Sequence, residues 1–193
     1  SENKKLKHVI KNYKNVILIS RLKKDGRGSA VVEGFREALK YKISYIFEMD
    51  SDLAHDPKEF KRFIKKANSG NFDLIIGSRY LPGGKIINIT ADRTIMSRVI
   101  NHFLYIWLGI HLTDHTSGFR LYNRRAVAYI VKAKLQSKGF ITLSETAYRL
   151  YKAGFMIGEV PITWNYRKYG KSNVNLKELI SSLLFVVKLK LNY

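Results

Sequence analysis

Apolar and polar residues follow one another in blocks that predict alternating strands and helices along the first half of the chain. Mostly apolar segments predict strands over residues 15–20, 43–50 and 72–80. Apolar residues at helical spacing predict a helix after the Gly-rich turn that begins at Gly26. A second helix is predicted over 57–67, where Asp56 provides an N-cap and Pro57 the first helical position. This alternation predicts an α/β fold with a mostly parallel sheet flanked by helices.

The second half of the chain is predicted to contain four helices, one strand and one basic loop. The first is a long helix over 92–110, which is followed by a polar turn and a helix over 113–131. A helix over 144–154 then ends at a glycine, and a strand follows over 155–164. A basic loop over 165–173 leads to the terminal helix over 176–193.

The first and the last of these helices carry wide apolar faces, and the last also carries lysines. Basic amphipathic helices of this kind can lie in a membrane interface. We therefore predict a single domain over 1–175 that is followed by an amphipathic membrane-interface helix over 176–193. For the helix over 92–110, ordinary core packing remains an alternative.

Composition adds a strong charge to this picture. The 193 residues suit one domain, and 35 Lys and Arg against 15 Asp and Glu give a formal net charge of +20. Such a charge predicts a polyanionic partner, which means nucleic acid, an anionic membrane surface or a phosphorylated substrate. The absence of cysteine excludes disulfides and thiolate zinc sites. No apolar run approaches the roughly 20 residues of a transmembrane helix.

Negative charge is nevertheless concentrated in the stretch "FEMDSDLAHDP", directly after the second predicted strand. In open α/β sheets, ligands bind at the carboxyl ends of the strands, where Asp50 and Asp52 are expected. Two carboxylates together with substrate phosphates commonly hold Mg²⁺, and Mn²⁺ is an equivalent candidate. Alternatively, the aspartates only solvate a turn and cap a helix. Capping accounts for Asp56, but it does not account for the two aspartates that precede it.

Several basic residues are placed to bind phosphate near this acidic turn. Arg79 ends the third predicted strand and should emerge at the same sheet edge as Asp50. Arginine's planar fork suits phosphate. We interpret Arg79 and Arg167 as phosphate ligands, because Gly, Ser and Tyr flank them in loops that follow strands. For any single arginine, a solvated surface charge is the alternative. Further basic residues recur in loops and at helix starts: Arg93, Arg120, Lys168 and Lys171.

Eight features of the sequence occur together in the order of one known family. They are "GRGSAVVEGFREAL", "MDSDLAHDP", "FDLIIGSRYLPGG", the pair Arg93 and Ser97, "DHTSGFRLY", Glu145 in "SETAYR", "EVPITW" and "RKYGKSN". With them the chain resembles the family 2 glycosyltransferases of the GT-A fold, and more closely the dolichol-phosphate or polyprenol-phosphate mannose synthases. "MDSDLAHDP" together with "DHTSGFR" is the most specific part of this resemblance.

The resemblance implies a membrane-associated enzyme that transfers mannose from GDP-mannose to a polyprenyl or dolichyl phosphate. It implies Mg²⁺ or Mn²⁺ on Asp50 and Asp52. The location would be the cytoplasmic face of the plasma membrane in a prokaryote or of the endoplasmic reticulum in a eukaryote. Independently of the resemblance, we expect no nucleic-acid partner, because the acidic cluster beside the arginines disfavours a DNA-binding surface. Asp114 and Arg120 would pair at the floor of the site, although a purely structural ion pair is an alternative. The implied catalytic residues are Asp50, Asp52, Arg79, Arg93, Asp114 and Arg120; the implied phosphate ligands are Arg79, Arg93, Arg167, Lys168, Lys171 and Ser172.

The chain also departs from the family pattern. A "PTYNE"-like strand and a "DDGS"-like turn, which hold the nucleotide in the family, do not occur. We therefore expect that the sequence is a fragment, that a missing segment or a second chain completes the donor site, or that the donor site is lost. Ala54 stands where the family often has Ser or Gln. Ile89 and Leu143 likewise stand where Trp and Gln are usual.

Other functions remain open at this stage. A UDP-glucose-dependent polyprenyl-phosphate glucosyltransferase is the nearest rival enzyme. A catalytically degenerate scaffold is a second alternative, and a basic protein that binds anionic lipid or nucleic acid is a third. The missing catalytic histidine does not count against an enzyme, because a phosphate monoester with a second pKa near ~6 is already anionic at neutral pH.

Overall fold

A four-stranded mixed sheet forms the centre of the computed structural model, which describes residues 8, 10, 12–23, 25–137, 139–166 and 176–191. The strands, in chain order, are β1 Tyr45–Glu48, β2 Leu74–Ser78, β3 Lys85–Ile87, β4 Arg120–Asn123, β5 Ile157–Pro161 and β6 Thr163–Asn165. The order in the sheet is β1-β4-β2-β5, and β3 and β6 form a separate parallel pair. β4 runs antiparallel to both β1 and β2, and β5 is parallel to β2. Therefore β1, β2 and β5 point in one direction and β4 points in the other.

In the described part of the chain, six α-helices with complete bounds cover the two faces of this sheet. They are α1 Gly26–Ala38, α2 Phe60–Asn68, α3 Ala91–Leu108, α4 Arg124–Lys132, α5 Thr142–Lys152 and α6 Leu176–Leu191. Short 3-10 helices precede α2 and α5, over Pro57–Glu59 and Gly139–Ile141. The long helix α3 ends at Gly109, whose φ of 67° is left-handed and therefore suits glycine.

Alternate residues of the central strands enter two hydrophobic clusters, one on each face of the sheet. Leu74 and Ile76 face the larger cluster with residues of α1, α3, α4, α5 and α6, whereas Ile75 faces a smaller cluster beneath α2. This alternation follows from the two-residue period of a strand. In α6, Val186 and Leu189 belong to the larger cluster, so one face of this helix packs in the core.

Most predicted elements occur in the structure, although they are shorter. The predicted strands over 43–50 and 72–80 contain β1 and β2, and the helix predicted over 176–193 contains α6. The helix predicted over 92–110 matches α3 to within two residues at each end. The predicted cap is also present: Asp56 Oδ1 accepts a hydrogen bond of 2.9 Å from Lys58 N, and Pro57 follows it. The α/β prediction is confirmed.

Three sequence predictions about strands are wrong. Residues 155–164 were expected to form one strand, but they contain β5 and the start of β6, which belong to different sheets. Residues 15–20 form no strand, and Val16 and Ile17 are 46% and 54% exposed. An apolar segment becomes a strand only where another strand takes its main-chain hydrogen bonds, and none of the described strands does so here. Conversely, Arg120–Asn123 was predicted as part of a polar turn but forms β4. It has only four residues and begins with an arginine, so its own pattern gives little sign of a buried strand.

The register of the sheet fixes which residues meet at its ligand-binding edge. Glu48, Arg120, Ile76 and Glu159 form one row across the four strands. β1 ends at this row, β2 and β5 end just beyond it, and β4 begins at it. The acidic turn, the residues after β2 and the loop that precedes β4 therefore converge at one edge of the sheet.

Candidate active site

A cleft of about 600 Å³ opens at this edge of the sheet. The acidic turn, the start of α1 and the first half of α3 all contribute to its lining. Its polar lining includes carboxylates, arginines and hydroxyls, and its apolar lining comes mainly from α3 and from the residues around α5. The residues lining the cleft are Arg27, Asp50, Ser51, Asp52, His55, Arg79, Ile89, Arg93, Met96, Ser97, Ile100, Thr116, Ser117, Gly118, Phe140, Leu143, Trp164 and Tyr166.

The two aspartates predicted as metal ligands both line the cleft. The Asp50 side chain is 49% exposed, and Asp52 Oδ1 accepts a hydrogen bond of 3.1 Å from Ala54 N, which fixes the turn. No group of three or more His, Asp or Glu side chains suited to a metal ion occurs among the residues that the structure describes. Two carboxylates can hold a Mg²⁺ or Mn²⁺ ion only when phosphate oxygens and water supply its remaining ligands, so the metal role of Asp50 and Asp52 stays a prediction.

His55 lies beside these aspartates in the wall of the cleft. Its Nδ1 is buried and has no hydrogen-bond partner in the described part of the chain. Burial lowers the pKa of His55 in spite of the nearby Asp50 and Asp52 carboxylates, so the imidazole is neutral at pH 7. An unpartnered nitrogen at the cleft wall fits a site that takes up a polar ligand or ordered water.

Arg79 and Asp114 form a buried ion pair at the floor of the cleft. Arg79 Nε and Nη2 donate to Asp114 Oδ2 and Oδ1 at 2.6 Å and 2.7 Å, and Nη2 also donates to Thr116 Oγ1 at 2.8 Å. Although burial alone would raise the pKa of Asp114, the Arg79 guanidinium holds it below its usual value. The predicted phosphate ligand Arg79 is thus engaged in a bidentate protein contact.

Arg120 is fully buried and has a different set of partners from the one predicted. Its guanidinium donates to the carbonyl oxygens of Ser117, Leu143 and His115 at 2.8 Å, 2.7 Å and 3.0 Å. The predicted pairing of Asp114 with Arg120 is therefore wrong: Arg79, at the end of β2, reaches Asp114 instead. Neither Asp114 nor Arg120 is among the described residues that line the cleft, and their catalytic role stays a prediction.

Arg93 is the predicted phosphate ligand that the structure leaves at the rim of the cleft. It is exposed in the first turn of α3, donates a hydrogen bond to the Tyr166 hydroxyl and lies over the Tyr166 ring, 5.4 Å from its centroid. Tyr166 N in turn donates to Ile87 O at 2.9 Å. Among the residues that the structure describes, no salt bridge engages Arg93, so its guanidinium can take an anionic ligand.

The remaining predicted site residues lie outside the described residues: Arg167, Lys168, Lys171 and Ser172. Sequence reasoning missed Arg27, Trp164 and Tyr166, which the structure brings to the cleft. Arg27 could have been identified from the sequence, because it lies at a Gly-rich helix start after an apolar segment, where anion-binding residues often occur. The two aromatic residues could not, since they reach the cleft only through the pairing of β6 with β3.

The fold matches solved structures of a GT-A glycosyltransferase. A structure of glucosyl-3-phosphoglycerate synthase from Mycobacterium tuberculosis with Mn²⁺, UDP-glucose and phosphoglyceric acid aligns with a TM-score of 0.55 and 16% identity, over 93% of this chain and 59% of that chain. A second structure of that enzyme, with Mn²⁺, UDP and glucosyl-3-phosphoglycerate, aligns with a TM-score of 0.56 and 15% identity, over 95% of this chain and 58% of that chain. At this identity the likeness shows the fold alone, and it confirms the predicted GT-A fold.

The chain belongs to glycosyl transferase family 2, whose family model matches residues 1–130. A polyprenol monophosphomannose synthase from Mycolicibacterium smegmatis is 35% identical over 160 residues, which are 83% of this chain and 60% of the relative. An undecaprenyl-phosphate mannosyltransferase from Micrococcus luteus is also 35% identical, over 161 residues, 83% of this chain and 65% of the relative. The chain thus spans less than two thirds of the length of these relatives.

Proposed function

We propose that this chain carries the catalytic cleft of an enzyme that transfers mannose from GDP-mannose to a polyprenyl phosphate. The observation that carries the proposal is the composition of the cleft, which is lined by two carboxylates, the exposed Arg93 and several apolar side chains. The carboxylates suit a metal-bound diphosphate, and Arg93 suits a second phosphate. The apolar wall suits a lipid. The names of the two bacterial relatives support mannose as the sugar.

In the proposed reaction, a phosphate oxygen of the lipid attacks the anomeric carbon of the sugar. The new bond joins that carbon to the lipid phosphate, while the bond to the nucleotide diphosphate breaks and its electron pair leaves with the diphosphate. No general base is required, since the lipid phosphate is already anionic at neutral pH. The chain must therefore hold two anions in contact and stabilise the charge that develops on the leaving group.

The described residues divide these tasks between two sides of the cleft. Asp50 and Asp52 would hold Mg²⁺ or Mn²⁺, which stabilises the leaving diphosphate when bound. Arg93, oriented by Tyr166, would bind the lipid phosphate, with the Ser97 hydroxyl one helical turn further along α3. Met96 and Ile100 follow on the same wall of the cleft, where the first apolar units of the lipid would pack.

The transfer assay should use the full encoded protein with each of two donors, GDP-mannose and UDP-glucose, and a short polyprenyl phosphate. We expect Mn²⁺-dependent formation of mannosyl-phosphoryl lipid and no comparable glucosyl product. A glucosyl product from UDP-glucose would replace the proposed reaction with its nearest rival. No transfer from either donor, with Mn²⁺ binding intact, would support a scaffold instead.

We also propose that the protein acts at a membrane surface, which it contacts through the outward faces of α3 and α6. The two helices meet where Trp107 Nε1 donates to Val186 O at 3.3 Å. Each leaves apolar side chains exposed: Ile95, Val99 and Ile106 on α3, and Ile180, Leu184 and Leu191 on α6. No described helix has both the length and the apolar character needed to cross a bilayer. Peripheral contact with an anionic surface is what a chain of net charge +20 favours.

Vesicle co-sedimentation tests this contact. We expect Ile180→Asp with Leu184→Asp to release most of the protein from anionic vesicles, because both side chains are at least half exposed, at 50% and 59%. Leu22→Asp is the matched control, since it charges an exposed leucine outside these helices. Equal release of both variants, or no vesicle binding by the wild type at two salt concentrations, would contradict the proposed surface.

A further inference from the structure

Arg27 reaches from the start of α1 to the predicted metal-binding carboxylate. Its Nη1 lies 2.6 Å from Glu48 Oε1, and its Nη2 lies 3.4 Å from Asp50 Oδ1. The second contact is long for an ion pair, which leaves Asp50 only weakly engaged. The guanidinium is therefore anchored by Glu48 on one side and directed at Asp50 on the other.

The anchor of Arg27 is part of a buried polar network below the cleft. The Glu48 side chain is 7% exposed, and its Oε2 accepts a hydrogen bond of 2.7 Å from the hydroxyl of Tyr122, a buried residue of β4. Burial would lower the pKa of Arg27, but the charges of Glu48 and Asp50 outweigh that effect and raise it. Arg27 is consequently a permanent cation beside Asp50 at every physiological pH.

Gly118 provides the space in which Arg27 and Asp50 meet. A Cβ atom at this position would lie 2.8 Å from Arg27 Nη2 and 3.2 Å from Asp50 Oδ2. Any side chain there would force the two groups to move. The loop before β4 is thus shaped around the contact between this arginine and this carboxylate.

We propose that Arg27 is a positioning residue that competes with the divalent cation for Asp50 and so sets the metal affinity of the cleft. This inference rests on the metal site of the proposed function. Two cations beside one carboxylate repel each other, and the repulsion is strong because Arg27 is partly withdrawn from water. Glu48 limits the competition, since it holds the guanidinium back from Asp50.

If Arg27 competes with Mn²⁺, then removing only the Glu48 charge and removing both charges of the Arg27–Glu48 pair should change Mn²⁺ affinity in opposite directions. Glu48→Gln removes the anchor charge, so Arg27 turns to Asp50 and Mn²⁺ should bind about tenfold more weakly. Arg27→Met with Glu48→Gln removes the competitor as well, without changing the net charge. Mn²⁺ should then bind more tightly than in the wild type, again by about tenfold, or ~1.4 kcal/mol.

Mn²⁺ affinity can be measured by titration calorimetry, or by the electron paramagnetic resonance signal of unbound Mn²⁺, with thermal melting as a check of folding. Arg36→Met with Glu37→Gln is the matched control, since it removes the same charges near the other end of α1, about 14 Å along the helix. Its affinity should equal that of the wild type.

Two failures can be told apart. A wild type that binds no Mn²⁺ would remove the proposed metal site and this inference together. Only the inference would be overturned if the wild type binds Mn²⁺ but the two variants change its affinity in the same direction, or do not change it at all. Arg27 would then be a structural partner of Glu48. If Glu48→Gln alone failed to fold, the folded double variant would still test the inference. A Mn²⁺ affinity of the double variant that is equal to or weaker than that of the wild type would contradict competition by Arg27.

Discussion

The floor and the rim of the cleft use the same residue type in opposite ways. At the floor, the Arg79 side chain is 12% exposed, and Arg120, which does not line the cleft, is fully buried; each guanidinium makes at least three hydrogen bonds to other protein groups. At the rim, Arg93 is exposed and bonds to a single phenol. Arginine recurs at both levels because its fork satisfies either protein acceptors or ligand phosphates.

The difference shows that arginines near the acidic turn are held in different ways, and the phosphate-binding roles assigned to Arg79 and Arg93 stay predictions. Burying a charged side chain is unfavourable unless nearby acceptors take its hydrogen bonds. Those hydrogen bonds then connect the loops that supply the acceptors. The Arg79–Asp114 pair at the floor therefore helps to hold the loop over 113–118, whereas we predict that Arg93 at the rim binds substrate.

Removing one partner of the floor pair should strongly destabilise the fold. Asp114→Ala leaves the Arg79 guanidinium buried without its carboxylate, and we expect a loss of about 3–5 kcal/mol in the free energy of unfolding. Urea denaturation measures this change. Arg79→Met with Asp114→Leu should recover part of the loss, because no buried charge remains. A loss below about 1 kcal/mol for Asp114→Ala would show that the floor does not hold the fold.

At the rim, a substitution should affect transfer and leave stability nearly unchanged. We expect Arg93→Ala in the full encoded protein to lower the rate of transfer by roughly 10²-fold, as is typical for loss of a single stabilising donor. Arg93→Lys should fall between the alanine variant and the wild type, since it keeps the charge but loses the fork. Steady-state kinetics at varied lipid phosphate, with urea denaturation in parallel, provide the measurement. A rim arginine that is only structural would instead lower stability and leave the kinetics intact.

The floor should also make stability depend on pH through His115. This residue is fully buried, and neither ring nitrogen has a hydrogen-bond partner in the described part of the chain. Burial, assisted by the Arg120 charge, lowers its pKa from 6.5 to about 4. Between these values the unfolded chain binds the extra proton, so this contribution to stability is present above pH 6.5 and is lost as the pH falls towards 4.

From pH 7 to pH 5, the wild type should therefore lose about 2 kcal/mol that a His115→Gln variant does not lose. Denaturation of both proteins at the two pH values measures the difference. Parallel losses in the two proteins would mean that His115 is protonated or solvated in the folded state.

The smallest expected effect concerns Asp56, which lies near the metal-binding turn but points to the start of the next helix. Asp56→Ala should cost about 1 kcal/mol of stability through loss of the cap to Lys58 N, and should leave Mn²⁺ affinity unchanged. Thermal melting and a Mn²⁺ titration check both statements. A clear loss of Mn²⁺ affinity in this variant would extend the metal site to Asp56.

The sequence was sufficient to predict the groups that lie directly after strands. Asp50 and Arg79 follow two apolar segments that form strands of the same direction. Their convergence follows from the rule that ligands bind at the carboxyl ends of the strands in an open α/β sheet. The Asp56 cap could also be predicted, because capping depends only on local sequence.

Contacts between distant segments could not be predicted in this way. Arg93 and Tyr166 are 73 residues apart and meet through the short β3–β6 pair. The Arg27 contact depends on Gly118, which belongs to a loop that precedes the unpredicted strand β4. The partner of Asp114 likewise could not be chosen from the sequence, because Arg79 and Arg120 are both near it only after β2 and β4 pair.

The most direct test of the proposed function compares Asp52→Asn with Asp56→Asn in the Mn²⁺-dependent transfer of mannose from GDP-mannose to polyprenyl phosphate. Both variants remove one negative charge from the same turn, and asparagine remains a good cap at position 56. We expect Asp52→Asn to abolish transfer and weaken Mn²⁺ binding, while Asp56→Asn stays close to the wild type. Unchanged transfer and Mn²⁺ affinity in Asp52→Asn would contradict the assignment of this cleft as the metal-dependent active site.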